Sequence, residues 1–109
     1  MSDHLDALQR VVDDVVAPAA VDVDRTGRFP RAAVDALGRE GLLGLTTAAG
    51  MGGGGQGLRA AAQVVEGLAR HCGSTAMVVL MHYAAVAVIE VHGPDEVRAA
   101  REPVLRWKP

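Results

Sequence analysis

Apolar residues return at helical intervals over most of the 109-residue chain. Across residues 3–17, Leu5, Leu8, Val11, Val12, Val15 and Val16 stand three, four and seven apart, the stripe of an amphipathic helix. Ser2 suits its N-cap, and Pro18 is expected to stop it, because a proline inside a helix lacks an amide donor and its ring crowds the preceding turn. Residues 19–29 hold Asp22, Asp24, Arg25, Gly27 and Arg28 without an apolar period and read as a loop. Pro30 then fits the first turn of a short second helix that turns Val34 and Leu37 inward and ends at Gly38 or Gly41.

The segment GLLGLTTAA, residues 41–49, is either a buried strand or an irregular apolar connection, since a short apolar run cannot be assigned by period alone. Beyond the glycine-rich stretch GMGGGGQG at 50–57, Leu58, Ala61, Ala62, Val65, Leu68 and Ala69 predict a third helix. Arg59, Gln63, Glu66 and Arg70 fall largely on its other side. Gly73 and Ser74 break that helix, and residues 76–91 are then apolar on every face except at His82 and Glu90. A helix apolar all round is enclosed by protein or by lipid. Sixteen residues rise roughly 24 Å, short of the ~20 residues that usually span a bilayer, so a central helix in a protein core is the expectation. A few short helices cannot surround it fully, which points to further cover from another chain or a missing segment. Gly93 and Pro94 precede a last helix opened by Asp95 and Glu96, whose charges suit its N-terminal end, and Pro103 closes it. The expected fold class is all-α, about five helices around a buried apolar helix, in one domain over residues 1–103 with an unstructured tail at 104–109.

Composition narrows the function. Half the residues are apolar but only Phe29, Tyr83 and Trp107 are aromatic, so the core is built from Ala, Val, Leu and Met. The net charge of -2, with arginines dispersed singly, offers no basic face to nucleic acid and no polybasic membrane anchor. The acidic, amphipathic N-terminus does not resemble a secretory signal, and the lone Cys72 has no partner for an internal disulfide, so a cytoplasmic location is expected.

Candidate chemistry is sparse. GMGGGGQG matches the dinucleotide fingerprint G-x-G-x-x-G in two registers, as a run of glycines will, but two helices precede the supposed first strand. The ribose-binding acid expected about twenty residues on would fall near Met77. No lysine follows the glycines, which removes a P-loop. His4, His71, His82 and His92 do not stand at metal-ligand spacings, so no metal is expected. His82, alone as a polar group in the middle of the apolar helix, either finds a hydrogen-bond partner in the core or lines a pocket. Cys72 reads as a small buried hydrophobe and Glu90 as a paired structural acid.

The order of several short motifs resembles the N-terminal domain of acyl-CoA dehydrogenases. D-R-T-G-R-F-P runs from Asp24 to Pro30, L-G-R-E-G-L-L-G-L-T from Leu37 to Thr46, and G-G-G-G from Gly52 to Gly55. An E-x-L-A-R helix end follows at Glu66 to Arg70, then the apolar helix with His82, then G-P-D-E at Gly93 to Glu96. The resemblance covers roughly residues 5–103. It implies an all-helical domain packed against a middle β-domain and a C-terminal helical domain, usually in a homo-oligomer, with FAD and an acyl-CoA thioester held where the domains meet. In that family a glutamate base removes the α-proton while the β-hydride passes to the flavin.

By the same resemblance the helix over residues 76–91 forms a wall of the acyl-chain pocket, and Leu80, Met81 and Ala84 line the chain with His82 and Tyr83 nearby. Most FAD contacts and the catalytic base are implied to lie outside this chain, which therefore holds no catalytic residue and is expected to be a truncated, inactive part of the enzyme. Ala48, Ala49, Gly50 and Met51 replace the family's usual proline, acids and aromatic, and Glu102 replaces the leucine before the final proline. The extra glycines suggest a hinge more flexible than usual. An acyl-CoA oxidase or flavin-dependent monooxygenase of the same fold is an alternative, and a non-catalytic helical interaction module is one of another class.

Overall fold

The computed structural model describes residues 3–51 and 53–100. Those residues are helices and turns without a strand. Ser2, Gly52, Glu102, Pro103 and the tail at 104–109, which the sequence reading also touched, lie outside the described residues.

The first apolar stripe does not stop at Pro18. Helix α1 (Asp3–Val11) passes through one wide π turn (Val12–Val16) into α2 (Ala17–Thr26), in which Pro18 occupies the first turn. In an unbroken α ladder the proline ring would collide with the carbonyl of residue 14. The wide turn lies directly before it, and its Ala17 N–H bonds back five residues to the Val12 carbonyl. The helix therefore continues where a straight one would have broken. Val11, Val12, Val16 and Val23 are all buried along one side of this rod.

Of the residues expected as a loop, Asp22, Asp24 and Arg25 belong to α2, while Gly27 and Arg28 do lie in the connection that follows it. Asp22 meets Arg25 one turn on (3.0 Å) and Arg28 beyond the helix end (2.9 Å), and Thr26 donates to the Asp22 carbonyl. Charge on a solvated face hid the helix, because its inward side offers only Val23 and part-buried Ala19 and Ala20. Gly27 ends it in the left-handed conformation at φ 70°.

Helix α3 (Arg31–Arg39) buries Val34 and Leu37 as expected. It ends in a Schellman motif: Gly41 at φ 77° donates to the Gly38 carbonyl and Leu42 donates to the Leu37 carbonyl. Residues 41–48 then run through irregular turns into a short 3-10 turn at Ala49–Met51, so the apolar segment GLLGLTTAA is the irregular connection and not the strand. Leu42, Leu43, Leu45 and Thr47 are nevertheless buried.

The glycine stretch folds back along this connection. Gly53, Gly54, Gly55 and Gln56 donate in turn to the carbonyls of Ala48, Gly44, Thr47 and Leu45. A Cβ on Gly53 would lie 2.4 Å from the Thr47 carbonyl oxygen, one on Gly54 would lie 2.8 Å from that of Leu45, and Gly55 holds φ 66°. Two glycines thus permit close approach and a third the turn. The described part of the stretch is a hydrogen-bonded return and not a loose hinge.

Helices α4 (Leu58–Ala69) and α5 (Gly73–His92) form an antiparallel pair joined by a short turn in which Cys72 N–H bonds the Leu68 carbonyl. Cys72 is the N-cap residue of α5 and is buried, accepting a hydrogen bond from Thr75 Oγ1 at 3.2 Å. Gly73 therefore begins a helix and does not end one. On α4 the residues turned to the core are Ala60, Ala61, Val64 and Leu68, and Leu58 is 86% exposed. The chain of α1 crosses α4 at Gly67, where an added Cβ would meet Leu8 Cδ2 at 2.8 Å.

Helix α5 buries one face only, with Thr75, Ala76, Val79, Tyr83 and Val86. Met77, Met81, Val88 and Val91 on its opposite face are 57–67% exposed. The expected cover from this chain is half present. At 20 residues α5 is also long and apolar enough, by length and composition, to cross a membrane, so the length argument drawn from residues 76–91 does not stand. Its inner face is engaged with the other helices of the domain. Helix α6 (Asp95–Ala100) carries Asp95 and Glu96 in its first turn, as expected.

Candidate functional site

An apolar groove of about 630 Å³ runs between α4 and α5, and the glycine return closes one end. Its floor is small because Ala61 and Ala62 on α4 face Ala84 and Ala87 on α5 across the antiparallel pair. Leu58, Val65 and Leu80 form its apolar rim, Thr46, Gln56 and Gly57 one end, and Glu66 a polar edge.

Tyr83 is the buried anchor of this wall. Its hydroxyl donates to the Leu42 carbonyl at 2.6 Å while its ring faces the groove. Burial pushes its phenol well above the ordinary range, so it stays neutral and acts as a donor. The neighbouring His82 points to the other side of the helix, where Nε2 donates to the Leu43 carbonyl at 2.7 Å. A carbonyl only accepts, so the proton sits on Nε2. His82 thereby does both things open to it: it satisfies a buried backbone carbonyl and lines a second cavity of about 370 Å³ with Phe29, Val34 and Leu43.

Of the five candidate wall residues, Leu80, Tyr83 and Ala84 come together in the groove. Met81 is 60% exposed on the outer face of α5, and His82 belongs to the second cavity. The other half of the wall comes from Leu58, Ala62 and Val65. These stand in the apolar period that predicts the third helix, which does not separate a groove face from a core face. Thr46 and Gln56 carried no signal, since only the folding back of the glycines brings them to the groove.

Chemically the site suits a hydrocarbon chain. Its lining is apolar with few polar groups, and no cationic side chain lines it among the described residues. FAD would need partners for its diphosphate, which this groove does not offer, so a flavin does not fit here as an occupant. Among the described residues no three His, Cys, Asp or Glu side chains gather as a metal site requires.

Comparison with known proteins places these observations. The family described as "Acyl-CoA dehydrogenase, N-terminal domain" matches residues 3–104. A relative from Clostridium acetobutylicum described as "Acyl-CoA dehydrogenase, short-chain specific" is 30% identical over 90 residues, covering 82% of this chain. The match takes in 24% of that relative, so the chain spans about a quarter of its length. No solved structure gives a significant match.

Proposed function

The chain belongs to the acyl-CoA dehydrogenase family, as its N-terminal domain, and from that premise we propose that it forms one wall of the cleft in which an acyl-CoA thioester is α,β-dehydrogenated. The observation that supports this reading is the groove between α4 and α5, apolar, floored by alanines and open along one side. An alkyl chain laid against Ala62, Ala84 and Leu80 gains by leaving water and needs no polar partner. Tyr83 fixes the wall by tying α5 to the connection after α3.

FAD, when bound in such an enzyme, supplies the hydride acceptor. Its contacts and the carboxylate base are assigned to parts of the protein other than the residues described. The contribution of this chain is to bind and orient the acyl chain and to keep water from it. An acyl-CoA oxidase or monooxygenase of the same fold uses the same wall. The exposed outer face of α5 is the observation that favours an interaction module.

A chimera tests the wall. Replacing the matching N-terminal segment of the Clostridium acetobutylicum relative with this chain is expected to give an enzyme that reduces an artificial electron acceptor with acyl-CoA. Ala84→Trp, which fills the groove floor, should move its preference to shorter chains by at least about tenfold in kcat/KM, the order expected when several methylenes lose their site. A chimera that folds and turns over, with the chain-length profile of Ala84→Trp unmoved, would remove the wall from the acyl site.

A further inference from the structure

The groove between α4 and α5 is wider than a straight hydrocarbon needs. Its lining runs from Leu58 to Glu66 on α4 and from Leu80 to Ala87 on α5, so at about 1.5 Å per residue it is roughly 12 Å long. Spread over that length, the volume of about 630 Å³ leaves a mean cross-section of about 50 Å². A polymethylene chain, about 4 Å across at carbon contact distance, covers less than about 20 Å² of it. The width comes from the walls: Ala61 and Ala62 face Ala84 and Ala87, and each of these side chains ends at its Cβ. The antiparallel run of the pair sets Leu58 toward one end and Val65 and Leu80 toward the other, so the middle is the broad part.

We infer that the groove takes a bulky acyl group, branched or alicyclic, in preference to a straight chain. The inference rests on the acyl-wall reading and names the substrate class within it. A straight chain in this space would leave more than half of the cross-section empty or wet, and its flanks would lose the contacts that the apolar walls offer. A branched or ring-bearing skeleton reaches both alanine walls at once, so its carbons are drawn more completely out of water.

The polar groups of the lining agree with this. Thr46 and Gln56 stand at one end and Glu66 along one edge, so the middle offers no side-chain hydrogen bond and its occupant there is hydrocarbon. Ala62, Ala84 and Ala87 are exposed, so the broad part is open to a ligand and not filled by the domain's own core.

Magnetic resonance of the full chain, isotope-labelled at its alanine methyl groups, tests the class. The titrants are octanoyl-CoA and cyclohexylacetyl-CoA, which have the same number of acyl carbons, and coenzyme A alone. Both thioesters are expected to move the methyl resonances of Ala62 and Ala84. Cyclohexylacetyl-CoA should bind at least about threefold tighter, the ratio that roughly 30 Å² more buried apolar surface gives. Ala62→Leu narrows the middle from the α4 side and should remove that preference with the helical circular dichroism unchanged, since Ala62 is exposed. If the groove methyls respond but octanoyl-CoA binds as tightly or more tightly, or if Ala62→Leu folds and keeps the preference, the bulky class is wrong and the wall stands. If neither thioester moves these resonances beyond the effect of coenzyme A alone, the wall reading itself fails and the inference with it.

Discussion

Leu42 and Leu43 present consecutive carbonyl groups from irregular backbone, and adjacent residues of α5, Tyr83 and His82, reach one each. Tyr83→Phe keeps the ring in the groove but leaves the Leu42 carbonyl without its donor, at a cost of about 1–3 kcal/mol in a urea melt. The same phenol gives the fold a pH dependence. Below about pH 10 both folded and unfolded chains hold the proton. Above it the unfolded chain releases the proton while burial keeps it on the folded one, so stability falls as pH rises, by about 1.4 kcal/mol per unit. Tyr83→Phe should flatten that slope between pH 10 and 11, and an unchanged slope would place its origin elsewhere. Glycines set another residue-scale requirement. Gly53→Ala drives a Cβ into the Thr47 backbone and should cost more than about 1 kcal/mol, read as a lowered melting temperature, whereas Gly57→Ala meets open space and should cost less.

Helix α4 shows which elements were legible and which of their faces were not. Its position followed from the apolar period, but that period held two stripes, one for the core and one for the groove. Leu68 is fully buried and Leu58 is 86% exposed although both belong to it. Leu68→Ala is expected to destabilise by about 2–5 kcal/mol and Leu58→Ala by less than about 0.5, measured by denaturant unfolding. Helices α3 and α4 were readable because apolar spacing and end signals agreed, whereas α5 was found from its unbroken apolar run alone and its start at Gly73 was missed. The continuation through Pro18 was not readable, because a proline stop rule assumes an α ladder and the chain uses a π turn there. The glycine return was unreadable for another reason. Its hydrogen bonds depend on the path of residues 44–48, which no local period encodes.

For the whole molecule, the family and the all-helical architecture were legible in the order of short motifs, and comparison supports both. The candidate site was half legible: Leu80, Tyr83 and Ala84 face the groove, but nothing in the sequence separates them from Met81 one position along the helix. Which face of α5 turns inward is decided by α4, a tertiary fact. The expectation that α5 would lack cover is met by its outer face, where Met77, Met81, Val88 and Val91 are exposed.

Tyr83 has one more consequence. The sequence contains a single tyrosine, and its hydroxyl is engaged on a backbone carbonyl that belongs to another element. Its near-ultraviolet absorbance is therefore an intrinsic reporter of one contact. Phenolate formation, followed optically during an alkaline jump, would time the parting of α5 from the connection after α3 without any label.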